Sequence, residues 1–223
     1  MFITFEGGEG TGKSTQIELI SQYLQNCGRQ YLLTREPGGT KIGRSIRSIL
    51  LNSNTKALDP KAELLLYAAD KVQHIETVIK PALQSGKIVL CDRFADSTVA
   101  YQGYARELNM DLIENINKIV LDNLKPDITF LLDLLPEVGL SRAFSRIKDH
   151  AANKINDDVN INKYDDESRF EREELDFHKR IRKGFLKIAK MEPNRFIIID
   201  ASKDKFKINS EITAHIRAHK KIN

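Results

Sequence analysis

A chain of 223 residues, 41% hydrophobic and 30% charged, suits one α/β domain large enough to bury a real core. Its net charge of +4 is compatible with small anionic ligands and too weak to argue for a nucleic-acid partner. Two cysteines, Cys27 and Cys91, in no C-x-x-C pair make no disulfide framework and point to reduced thiols in a cytoplasmic protein. Met1 leads into FITF without a basic leader, and no stretch approaches the roughly 18 apolar residues of a membrane span, so neither a signal peptide nor a membrane partner is expected.

Residues 2–5 form a short apolar run that reads as a buried strand, and residues 14–27 follow with Ile17, Ile20 and Leu24 at helical spacing until Gly28. Residues 31–34 give a second strand, the loop REPGGT covers 35–40, and residues 42–51 read as a helix. A long helical stretch opens at Asp59-Pro60 and runs to about residue 85, with Pro81 expected to break or kink it near its end. Further strands are expected at 87–91, 128–132 and 196–199, each ending at an aspartate: Asp92, Asp133 and Asp200. Helical patterns cover 111–124, 137–147, 170–190 and 205–219. Residues 149–168 are polar, rich in Asn and Asp and without period, and read as an insert in a single domain.

Strands alternating with helices imply a parallel sheet covered on both faces, with ligands at the carboxyl ends of the strands. The first such end carries GGEGTGKS (Gly7, Gly8, Glu9, Gly10, Thr11, Gly12, Lys13, Ser14), which fits G-x-x-x-x-G-K-[ST] between a strand and a helix. Glycines let backbone N–H groups converge on an anion, and the helix start adds its dipole. Lys13 then reaches the β- and γ-phosphates of a nucleotide and Ser14 a Mg²⁺ ion.

Two other uses of such a loop are weaker. NKYD (162–165) matches a guanine-reading pattern but lies in the polar insert, and no aspartate is followed by glycine three residues on, as a switch needs. A motor would carry a different strand end than IVLCDR. Here Asp92 can hold the metal, and Arg93 beside it can meet a second anion, which suits an enzyme that positions two phosphorylated molecules. Asp200 reads as a loop cap; Asp133 leaves capping and site roles open.

FEGGEGTGKSTQ, TREPGGT, LLLYAAD, DRFADSTVAYQGYAR, KPDITFLLDLLPEVGLSRA and SRFE, in this order, resemble the bacterial thymidylate kinase family over essentially the whole chain. The resemblance implies a three-layer P-loop NTPase fold: one domain over 1–223, a five-stranded parallel sheet flanked by helices, and a mobile lid at about 142–170. It implies transfer of the γ-phosphate of ATP to dTMP with Mg²⁺, in a homodimer. It assigns Gly7 to Thr15 (Thr15 included) to ATP, Arg93 and Arg47 to the dTMP phosphate, and Glu36 and Pro37 to the loop beside it. Tyr67, Lys71, Thr98 and Gln102 fall at thymine positions, and Ser14 and Asp92 at the metal. Glu9 falls at the acceptor sugar. With Glu9 and no arginine in the cradle, the catalytic cation is expected from the lid, where Arg142 and Arg146 share a helix face and Arg169 follows the insert.

Two departures stand out. Lys71 replaces an arginine common in relatives, and lysine lacks the planar fork, which opens the choice between dTMP and another pyrimidine monophosphate. The insert at 149–168 is longer than in many relatives. A nucleotide-binding regulator without turnover is the remaining alternative.

Overall fold

Five apolar runs become five parallel strands: β1 (Phe2–Glu6), β2 (Tyr31–Arg35), β3 (Ile88–Asp92), β4 (Ile128–Asp133) and β5 (Phe196–Asp200), ordered β2-β3-β1-β4-β5. The computed structural model describes residues 1–53, 58–153 and 168–219. The helices are α1 (Lys13–Asn26), α2 (Lys41–Leu51), α3 (Pro60–His74), α4 (Lys80–Gln84), α5 (Ala95–Thr98), α6 (Met110–Leu121), α7 (Pro136–Asn153), α8 (Leu175–Met191) and α9 (Lys205–Ala218). Residues 154–167, most of the polar insert and all of NKYD, lie outside the described residues, so of the region 142–170, where a lid is expected, only 142–153 and 168–170 are described.

Side-chain alternation along the strands sorts two cores. On one face Ile3, Phe5, Leu90, Phe130 and Ile199 pack with Ile17, Ile20 and Leu24 of α1 and Ile208, Ile212 and Ile216 of α9. On the other, Phe2, Val89 and Cys91 meet Ile75, Ile79 and Val120, while Leu131 and Phe196 meet Ile181, Phe185 and Ile188 of α8. Burying each of these large apolar side chains contributes about 1.5–3 kcal/mol of transfer free energy. Threonine replaces an apolar residue at Thr4 and Thr129, whose buried hydroxyls satisfy each other at 2.8 Å.

Two local expectations need correction. The helix after Asp59 does not break at Pro81. It widens into π-type turns over Ile75–Ile79, just before the proline, and resumes as α4. A wider turn accommodates the missing N–H and the ring without ending the helix. A second π-type segment, Val99–Ala105, was not anticipated. The pattern read over 170–190 starts as helix only at Leu175; Ser168 to Glu173 form turns that bring Phe170 and Glu171 back over the strand ends.

The parallel register places all strand ends together. Asp92 lies opposite both Phe5 and Arg35, and Asp133 opposite Asp200. The loop after the central strand β1 therefore lies between the loops after its neighbours.

Candidate active site

The cradle needs its glycines for space. A Cβ on Gly7 would lie 2.5 Å from the Leu132 carbonyl oxygen, and one on Gly10 would lie 1.9 Å from that of Gly139. Both residues also have positive φ. Helix α1 starts behind the loop with no side-chain cap and no acidic residue in its first turn, leaving its N–H groups and positive dipole end to an anion. Lys13 folds over the loop and donates to the carbonyls of Gly7 (3.1 Å) and Gly8 (2.8 Å). Burial, then the nearby Arg93, lower its pKa to about 8.

Beside it, Ser14 Oγ donates to Asp92 Oδ2 at 3.2 Å, and Asp92 Oδ1 is buried without a partner. A hydroxyl and a carboxylate with one unsatisfied buried oxygen suit a hard divalent cation that keeps most of its shell as water and phosphate.

The chain turns sharply after β3. Arg93 adopts φ 67, a left-handed conformation uncommon outside glycine, and several bonds hold it there. Cys91 Sγ donates to the Arg93 carbonyl at 3.0 Å. Glu6, fully buried, accepts from the Phe94 N–H (2.8 Å) and the Ser97 hydroxyl (2.6 Å). Burial, then the Asp96 charge, raise the Glu6 pKa to about 7. The guanidinium of Arg93 donates to the Gly7 carbonyl (2.9 Å), the Ser97 hydroxyl (3.2 Å) and Glu9 Oε1 (3.0 Å). It lies 5.0 Å from the Tyr101 ring centroid, and the Tyr101 hydroxyl donates to the same Glu9 oxygen at 2.5 Å. Burial works against the Glu9 charge, yet Arg93, Lys13 and the Tyr101 hydroxyl hold its pKa at about 2. Glu171 faces it, and burial, then the Glu9 charge, raise Glu171 to about 7.

These groups line one cleft of about 240 Å³. From the cradle it takes Glu9 through Thr15, and from the loop after β2 it takes Arg35, Glu36 and Pro37. Arg47, Tyr67, Lys71, Thr98 and Gln102 complete the opposite end with Phe94 and Tyr101. Gly7 and Gly8 line a small cavity behind the cradle, together with His178. Arg47 donates to the Pro37 carbonyl at 3.0 Å. Lys71 is not an extended donor: it is buried in an ion pair with Glu36 and stands 4.7 Å over the Phe94 ring. His74 Nδ1 meets the other Glu36 oxygen at 2.8 Å, and its Nε2 meets the Thr34 hydroxyl at 2.6 Å. Lysine and histidine together hold the Glu36 carboxylate below its usual range, against its burial.

The three lid arginines separate. Arg146 lines the cleft beside Glu171. Arg142 lies outside it and donates to the Ala201 carbonyl at 3.1 Å. Arg169 is committed to Glu63 and to the Leu50 carbonyl (2.6 Å), so it holds the chain rather than serving as a spare cation. The open reading of Asp133 resolves as well, since Arg182 clamps it with two bonds of 2.7 and 2.8 Å. Asp200 accepts from the Ser202 N–H and hydroxyl, the loop cap expected.

Sequence reasoning missed Glu6, Glu63, Ser97, Tyr101 and Glu171. Glu6 and Tyr101 had a signal: an acid ending an apolar strand, and an aromatic inside AYQG. Glu63, in the helical run AELLLY, had none.

A glycine-rich phosphate loop facing a second basic pocket across one cleft defines a kinase of phosphorylated small molecules. A thymidylate kinase family model matches residues 5–212, and the chain belongs to that family. It is 48% identical over 217 residues to the thymidylate kinase of Geotalea uraniireducens, covering 97% of this chain and 96% of that one. It is 52% identical over 199 residues to that of Geotalea daltonii, covering 89% and 88%. The crystal structure of thymidylate kinase from Ehrlichia chaffeensis superposes with a TM-score of 0.72 at 34% identity, over 97% of this chain and 98% of that one.

Proposed function

We propose that the protein transfers the γ-phosphate of ATP to dTMP, giving dTDP and ADP for dTTP synthesis. The observation that carries this reading is one cleft lined by Lys13, Ser14 and Asp92 together with Arg93, Arg47 and Tyr67.

ATP phosphates take the cradle, where their oxygens replace the loop carbonyls now bonded to Lys13. Ser14 and Asp92 hold Mg²⁺, which when bound neutralises phosphate charge. Arg93 and Arg47 hold the acceptor phosphate in line. Tyr67 stacks on the base, with Lys71, Thr98 and Gln102 at its edge and the Glu36–Pro37 loop beside it. Glu9 meets the acceptor sugar. Arg146 is the lid cation placed to meet the transferring group, and Arg142 sets the first turns of α7 against β5. The acceptor phosphate is largely ionised at neutral pH and needs no general base. Alignment and charge neutralisation then supply the rate.

The Lys71–Glu36 pair supports one narrower question, the choice of base. A panel of dTMP, dUMP, CMP, UMP, AMP and thymidine, each with ATP and Mg²⁺ and ADP release measured, tests both. Preference for dTMP is the expected outcome. Preference for another acceptor overturns the dTMP assignment, and no acceptor-dependent turnover overturns the kinase reading.

A homodimer accompanies this reading. Exposed apolar residues recur seven apart on three helices: Ile42 and Ile49 on α2, Leu65 and Val72 on α3, Leu112 and Ile119 on α6. Helix α3 packs against both of the others, so the three helices that carry them are contiguous. Two unpaired thiols suit the cytoplasm. Among the described residues no helix is long and apolar enough to cross a membrane.

A further inference from the structure

Glu63 lies on α3 within the second core, fully buried, and no bulk water reaches its carboxylate. Its oxygens are divided. Oε1 accepts from Gln102 Nε2 at 2.7 Å and, at 3.4 Å, from Arg106 Nε. Oε2 accepts from Arg169, beyond the polar insert, and at 3.5 Å from Arg106 Nη2, whose shorter bond, 2.5 Å, goes to Glu173. A carboxylate held by two guanidinium groups takes these hydrogen bonds as the acceptor. The Gln102 amide therefore has one orientation: its NH₂ group points to Glu63. Its carbonyl oxygen takes no protein donor among the described residues and is left to the cleft that Gln102 lines.

We infer that Glu63 is a positioning residue for base selection: by locking the Gln102 amide it presents a carbonyl acceptor, and only an acceptor, to the nucleobase. The inference rests on the reading that the base of dTMP occupies this end of the cleft. A fixed acceptor suits the ring N3–H of thymine or uracil. It opposes the N3 lone pair of cytosine, which would leave two acceptors facing each other in a buried site. The lock does not depend on a methyl pocket, so it separates imide bases from cytosine and not thymine from uracil.

Glu63→Gln tests it. One oxygen then becomes an NH₂ group. Arg169 makes the shortest of the arginine bonds, while Arg106 bonds Glu63 only at 3.4–3.5 Å and keeps Glu173, so the remaining oxygen turns to Arg169 and the new NH₂ faces Gln102. The Gln102 amide must flip and show its NH₂ group to the cleft. The ratio of kcat/KM for dTMP over dCMP is expected to fall tenfold or more, whatever happens to overall activity. A proportional loss on both substrates, with the ratio unchanged, would mean that Glu63 serves stability alone and would overturn the inference. Gln102→Leu separates the two layers. If it lowers the ratio and Glu63→Gln does not, the lock is wrong while base reading by Gln102 stands. If Gln102→Leu leaves the ratio intact, the base does not lie against Gln102 and both fall. A measurement on the unaltered enzyme covers the case in which the Glu63 variant does not fold. The Gln102 side-chain NH₂ protons, followed by NMR, are expected to exchange at least tenfold slower than those of an exposed glutamine; exchange at the free rate overturns the lock.

Discussion

Arg93 and Glu9 form an ion pair of 3.0 Å inside the cleft, joining the turn after β3 to the loop after β1. The pair gives an acid a cationic partner inside a loop built for anions. Arg93 and the Tyr101 hydroxyl keep Glu9 ionised. It also keeps the guanidinium aimed before the substrate arrives, which lowers the ordering cost of binding.

Arg93→Ala should therefore lower kcat/KM for dTMP by about 100-fold or more, the scale of losing one partner of a buried charge pair. The KM for ATP should change little, because the cradle keeps Lys13 and the α1 N-terminus. Steady-state kinetics with each substrate varied in turn decides it; an unaltered dTMP profile removes Arg93 from the acceptor site.

Glu6 offers a stability prediction. It accepts from both Phe94 N–H and Ser97 hydroxyl, and these bonds hold the left-handed turn at Arg93. Glu6→Ala leaves the buried Phe94 N–H without an acceptor and frees the half-buried Ser97 hydroxyl, and should cost about 1–3 kcal/mol, chiefly from the N–H. Urea unfolding measures it. A cost under about 1 kcal/mol would show that the turn holds itself.

Glu171 offers a pH prediction. Burial and the Glu9 charge raise it from an ordinary 4.5 to about 7. Between those values the folded protein keeps a proton that the unfolded chain has released, so this group favours folding below pH 4.5 and progressively less as pH rises to about 7. Glu6 shifts in the same direction, so the wild-type slope mixes the two. The difference in unfolding free energy between wild type and Glu171→Gln isolates Glu171. It should fall by on the order of 1–3 kcal/mol across that window and stay level on either side. A level difference throughout refutes the burial of the Glu171 charge.

The apolar residues shared by α2, α3 and α6 give a further test. Ile119 is 80% exposed, far more than a large aliphatic side chain needs to be on a helix with a buried opposite face. Ile119→Glu should convert a dimer to a monomer at micromolar concentration in sedimentation analysis. A monomeric wild type overturns the dimer reading.

The sequence made the strands and the cradle legible because both are local signals. Apolar runs of four or five residues end at acids, and a glycine pattern lies between one such run and a helix. Lys13, Ser14, Asp92 and Arg93 follow from that grammar alone. Tyr67, Thr98 and Gln102 needed the family resemblance, since each also reads as helix packing. The partners that give them direction were out of reach. Gln102 meets Glu63 from 39 positions away, and Arg93 meets Glu9 from 84. Nothing periodic links such pairs; only the fold joins them. The same holds for the lid arginines. Arg142 and Arg146 share a helix face, yet one finds the Ala201 carbonyl and the other the cleft. The widened turns of Ile75–Ile79 and Val99–Ala105 leave no signature either, because a π-type turn uses the same residues as an α-turn.

The last prediction concerns a glycine outside the cleft. Gly139, in the first turns of α7, packs so closely on the cradle that a Cβ there would lie 2.3 Å from the Glu9 carbonyl oxygen. Gly10 meets the same spot from the other side. The two backbones are pressed together, so α7 sets the position of the phosphate loop from behind. Gly139→Ala should push residues 9 and 10 out of place, raising the KM for ATP and lowering kcat/KM for ATP tenfold or more, although residue 139 touches no substrate. Gly8→Ala is the matched control, because a Cβ on Gly8 meets no protein atom within 4 Å. Its stability should remain within about 0.5 kcal/mol of wild type. Equal stability and equal ATP kinetics for Gly139→Ala and wild type would show that the cradle holds its shape without support from α7.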